Sequence, residues 1–82
     1  MTKREFTEKL TPFFSHYQIE HLDRVALESA QDAGETHEHG RDVIALWIAD
    51  TADNPSEMYD MLGINMAAEV REALIKQLDI EW

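Results

Sequence analysis

The sequence predicts an all-α protein, a compact bundle of four or five short helices in one domain over residues 1–82. Three observations carry that expectation. Apolar residues recur at three- and four-residue intervals along most of the chain. No stretch alternates apolar and polar residues for long enough to make a strand. The three Gly and two Pro fall mostly where helices should start or stop.

The first helix is expected to start at Thr2. Thr2 and Glu5 have capping-box spacing, in which each side chain bonds the other residue's backbone N–H. Phe6, Leu10, Phe13, Phe14 and Tyr17 follow at helical spacing as one aromatic-rich face. Pro12 breaks the pattern, because an interior proline removes a hydrogen bond and clashes with the preceding turn. Thr11 is expected as an N-cap, with Pro12 opening a second short turn.

The second helix is expected from about Ile19 to Ala33. Ile19, Leu22, Val25, Ala26, Ala30 and Ala33 give it an apolar stripe, and Gly34 supplies a left-handed C-cap. The polar segment Glu35 to Gly40 reads as a loop or an irregular first turn. The third helix is centred on Asp42 to Thr51. Val43, Ile44, Leu46, Trp47 and Ile48 make it apolar around much of its circumference, as expected of a central helix.

Asn54, Pro55 and Glu57 then occupy N-cap, N1 and N3 of a fourth helix that ends at Gly63. Asn65 is expected to cap the last helix. Met66, Val70, Leu74, Leu78 and Ile75 are its inward positions.

Composition narrows the function. The chain has 82 residues, so its core is small. It has no cysteine, which excludes disulfides and leaves only His and carboxylate for any zinc site. A 44% hydrophobic fraction is too high for a disordered acidic tail. The start of the chain lacks the apolar core of a signal peptide, and the longest apolar run, Val43 to Ala49, is far too short to span a bilayer. A cytoplasmic protein is expected.

Charge is the most informative feature. The formal net charge is -10, and no Lys or Arg lies between Arg41 and Arg71. That stretch carries Asp42, Asp50, Asp53, Glu57, Asp60 and Glu69. Such a field repels phosphate and anionic lipid, so direct nucleic-acid or membrane binding is not expected. Asp50 and Asp53 lie near the end of the third helix, where the macrodipole disfavours negative charge. Asp53 and Glu57 have a structural reason to be there, since both precede or open the next helix.

The remaining acids read either as a solvated surface or, in functional terms, as a docking surface for a protein partner with a basic surface, one that binds nucleic acid being a natural case. Asp42, Asp50, Asp53, Glu57 and Asp60 would steer it, and Tyr59 and Met61 would anchor it. Met58, Leu62, Met66 and Trp82 could extend an apolar patch beside the acid, although most such residues in a small bundle close its core. Size and charge match those of the small inhibitors or adaptors that phages and bacteria deploy.

Two alternatives come from other classes. His37 and His39, with His16 and His21 nearby in sequence, could hold a metal, although no recognised ligand spacing is present. The face from Phe6 to Tyr17 and the apolar third helix could form the seam of a homodimer. Catalysis has little support: Ser15, Ser29 and Ser56 lie in no nucleophile motif, and no glycine loop or dinucleotide fingerprint implies a cofactor. The segment from Ser56 to Leu74 has the outline of a helix–turn–helix, but Arg71 is the only cation in the early part of its second helix, which is wrong for reading DNA.

Overall fold

The computed structural model describes residues 1–66 and 68–81. Its elements are α1 (Lys3–Leu10), α2 (His16–Ala33), α3 (His37–Thr51), α4 (Pro55–Leu62) and α5 (Ala68–Glu81), with no strand among the described residues. The Cα radius of gyration is 11.8 Å. A folded domain of this length should measure about 12 Å, so the five helices close on a common core.

The starts of α1 to α4 are set by local chemistry. Thr2 and Glu5 make the expected capping box, with both side-chain-to-backbone bonds at 3.2 Å. The Glu5 carboxyl is held below the usual carboxylate value, first by the Thr2 backbone N–H and then by the Thr2 hydroxyl. Asn54 caps α4 through a bond from the Glu57 N–H at 3.2 Å, with Pro55 in the first turn. Gly34 and Gly63 end α2 and α4 in the left-handed region, each at φ 70°, as their positions predicted.

Three boundaries differ from the sequence reading. Thr11 is the C-cap of α1, with its hydroxyl donating to the Thr7 carbonyl at 2.6 Å, and is not an N-cap. The chain turns through Pro12, and α2 then starts at His16 instead of Ile19. A second capping box explains the shift: Ser15 and Gln18 exchange bonds of 2.9 and 3.2 Å. α3, expected to be centred on Asp42 to Thr51, begins at His37, because the Thr36 hydroxyl accepts from the His39 N–H at 3.1 Å. Last, α5 opens at Ala68, so Asn65 precedes the cap position; its carbonyl instead accepts from the Gln18 side chain at 3.4 Å.

The core is built from Phe6 and Leu10 of α1, Phe14 of the turn, and Ile19, Leu22 and Ala26 of α2. Ile44 and Ile48 of α3, Met58 and Leu62 of α4, Ile64 and Leu74 complete it. Met58 and Leu62 are 1% exposed and belong to this core, not to a surface patch. Tyr17 leaves the aromatic face altogether at 84% exposure, because the turn at Pro12 reorients the chain before α2 begins. The expected inward placements of Ile75 and Leu78, and of Trp82 in a patch, lie outside the described residues and side chains.

α3 packs chiefly on α2. A Cβ at Gly40 would stand 2.2 Å from the Ala26 carbonyl oxygen and 2.9 Å from the Ala30 Cβ. Real Cβ atoms do not approach that closely, so Gly40, Ala26 and Ala30 together set how near the two helices can come. Of the two readings of the polar segment Glu35 to Gly40, a loop or an irregular first turn, the second holds from His37 onward, and its glycine is there for close approach.

Candidate functional site

The two halves of the chain treat charge differently. Residues 1–41 hold five Lys and Arg against eight Asp and Glu, a net of −3, while residues 42–82 hold two against nine, a net of −7. In the first half three of the eight acids find cations. Lys3 pairs with Glu20 at 3.2 Å, Arg4 with Glu8 at 3.2 Å, and Arg41 with Asp23 at 2.7 Å. Across the halves, Asp42 meets the Met1 nitrogen at 2.9 Å. Beyond that, Asp50, Asp53, Glu57 and Asp60 are exposed and form no ion pair among the described residues.

The uncompensated acids follow the corner between α3 and α4. Asp50 sits in the last turn of α3, where the negative end of the helix dipole makes negative charge unfavourable. Asp53 lies in the turn, one residue before the Asn54 cap. Glu57 occupies the first turn of α4, where the dipole favours it, and it accepts from the Asn54 amide at 3.3 Å. Asp60 lies one turn further along α4. Glu57 is thus explained by its helix, whereas Asp50 has no local reason to be acidic.

Tyr59 and Met61, the expected anchors, project from α4 at 55% and 40% exposure. Their helix mates Met58 and Leu62 point inward, which fixes the outer face of α4 as Ser56, Tyr59 and Asp60 with Met61 at its margin. A shallow groove of about 320 Å³ runs beside them, lined by Pro55, Ser56, Tyr59, Asp60 and Asn65. A tyrosine ring next to an unpaired carboxylate offers a cationic side chain both a π face and a counter-charge. Asp50 and Asp53 lie on the approach to α4, and Asp42 stands two turns back from Asp50 along α3.

The histidines are dispersed. His37 Nε2 lies 3.0 Å from the Asp23 carbonyl oxygen and 3.3 Å from Asp23 Oδ1, and its Nδ1 lies 3.3 Å from Arg41 Nη2. A guanidinium only donates, so in the neutral ring Nδ1 accepts and the proton sits on Nε2, facing the Asp23 carbonyl. His39, two residues along the same helix, is exposed on another face. His21 Nε2 lies 3.0 Å from the Leu62 carbonyl oxygen, and His16 opens α2 in solvent. Among the described residues no three His, Asp or Glu side chains converge as a metal site would need.

Two features escaped the sequence reading. One is the buried Asp23–Arg41 pair with His37 over it, which links α2 to the start of α3; both charged residues are only 8% exposed. The other is Leu46. It was expected in a central helix, yet it is 61% exposed on the outer side of α3, between Asp42 and Asp50. The helix buries Ile44, Ala45 and Ile48 instead.

No family model, curated protein or solved structure matches the chain. Among the described residues, no helix is long and apolar enough to cross a membrane.

Proposed function

We propose that this chain is a non-enzymatic interaction module that binds a protein partner through a basic surface of that partner and modulates it, most simply by occupying the surface. One observation carries the reading. Asp50, Asp53, Glu57 and Asp60 are exposed, form no ion pair among the described residues, and flank exposed Tyr59 and Met61. Apolar anchors ringed by charge are the usual anatomy of a protein interface. A partner that itself binds nucleic acid fits well, since its surface is already built to meet regularly spaced negative charge. Occupying that surface would block the nucleic acid and make the module an inhibitor.

The test is capture of a partner from lysate on the tagged chain, washed first at about 0.1 M salt and then at about 0.5 M, where the screening length falls to a few Å. A stoichiometric partner should be retained at the first wash and released at the second. Asp53→Lys with Asp60→Lys should cut retention about tenfold or more while leaving the helical circular-dichroism signal intact. Equal retention by wild type and double reversal, or retention indifferent to salt, would refute the reading.

A further inference from the structure

We infer that the outer face of α3 is the seat for one basic amphipathic helix of the partner. Leu46 takes the apolar side chain at its centre, and Asp42 and Asp50 take the cations on either side. This rests on the acidic-module reading above and extends its surface from the α4 corner along α3.

The spacing carries the argument. Asp42, Leu46 and Asp50 stand four residues apart on one helix, so they form a single exposed row. At 1.5 Å per residue the leucine lies about 6 Å from each carboxylate along the axis, and the two carboxylates about 12 Å from each other. A second helix laid alongside repeats that rise when it carries Lys or Arg eight residues apart with apolar side chains between. Val43 and Trp47, half-buried beside Leu46, broaden the centre into a ridge of the i, i+3, i+4 kind that packs into the grooves of a facing helix.

Charge selects the occupant. Asp50 forms no ion pair among the described residues. Asp42 offers only Oδ1 to the Met1 nitrogen, and its side chain stays 53% exposed. A second copy of the chain would set these same carboxylates against each other between two bodies of charge -10. A cationic helix instead gains at both ends of the row and covers the leucine between them.

The probe is a synthetic amphipathic helix of about five turns with leucines on one stripe and lysines eight residues apart beside it, titrated at low salt into the isotope-labelled chain. Amide shifts should concentrate on residues 42–50 and vanish at about 0.5 M salt. Leu46→Lys should weaken binding about tenfold or more. Its melting temperature should stay within about 3 °C of wild type, because the residue is exposed. A peptide with glutamate in place of lysine should not bind.

Shifts confined to Tyr59, Asp60 and Met61, with Leu46→Lys binding as tightly as wild type, would overturn this seat and leave the acidic-module reading standing on α4. Failure of the lysine helix to bind a chain that still captures its protein partner would do the same. Sedimentation of the wild-type chain as a dimer that Leu46→Lys makes monomeric would assign the face to a second copy and overturn it too. If neither the lysine helix nor any salt-released partner binds, both readings fall together.

Discussion

The junction of α2 with α3 and the corner of α3 with α4 hold similar residues and use them in opposite ways. At the junction Asp23 is buried and answered by Arg41 at 2.7 Å, with His37 over both. At the corner Asp50, Asp53 and Asp60 stand in solvent with no cation to answer them among the described residues. The first arrangement fixes how two helices meet. The second fixes no contact between helices and, at Asp50, works against its own helix. An aspartate's worth is therefore set by its surroundings, and the same kind of substitution should have opposite signs at the two places.

The largest effect is expected at Asp23. Asp23→Ala leaves the Arg41 guanidinium buried without its carboxylate, which should cost about 3–5 kcal/mol. A domain of this size commands only about 4–12 kcal/mol in all, so the variant should be near unfolding at room temperature. Pairing it with Arg41→Met removes the stranded charge and should restore most of the loss. Denaturant melts of the two single variants and the double variant measure the coupling directly. A double variant no better than Asp23→Ala would mean that the pair's geometry, not its charge balance, holds the junction.

Next in size is Gly40→Ala. In an open helix this change gains roughly 1 kcal/mol from propensity. Here the new methyl would lie 2.2 Å from the Ala26 carbonyl oxygen, which is backbone and cannot swing aside. Separating α2 from α3 should cost about 3 kcal/mol, the upper end for overpacking. Gly34 makes the control. It ends α2 and has nothing within 4 Å of its would-be Cβ, so Gly34→Ala meets only its φ of 70° and should cost about 1–2 kcal/mol. Equal melting temperatures for the two variants would show that α2 and α3 can part cheaply.

The junction and the corner also differ in how far the sequence reveals them. Caps act within four residues, so Thr2 with Glu5, Asn54 with Glu57, Gly34 and Gly63 could all be read from spacing. Ser15 with Gln18 has the same spacing, and it moves the start of α2 back over His16 and Tyr17, which carry no apolar stripe to announce a helix. Asp23 and Arg41 are eighteen residues apart, and nothing local pairs them. Arg41 reads from sequence only as the edge of a cation-free stretch. Periodicity located an apolar stripe on α3 and α4 but did not orient it. It could not tell that Met58 and Leu62 turn inward while Tyr59 turns out, or that Leu46 is the member of its run left in solvent. Those choices belong to packing against other helices.

The smallest expected effect carries the sign that separates the two regions. Asp50 lies in the last turn of α3, within a half of the chain that is already at −7. Asp50→Lys removes one repulsion and complements the negative end of the helix dipole. It should stabilise the fold by about 0.3–1 kcal/mol at low salt. The gain should shrink toward zero at about 1 M salt, where the screening length is near 3 Å. Its counterpart at the buried junction only destabilises. A chain that forgoes this gain keeps a charge its fold does not need, and the same variant should bind the basic partner more weakly. A thermal melt at two salt concentrations reads the first half of that trade and a binding titration the second. If Asp50→Lys proved destabilising at low salt, Asp50 would have a structural partner after all, and its place in a docking surface would lose its physical ground.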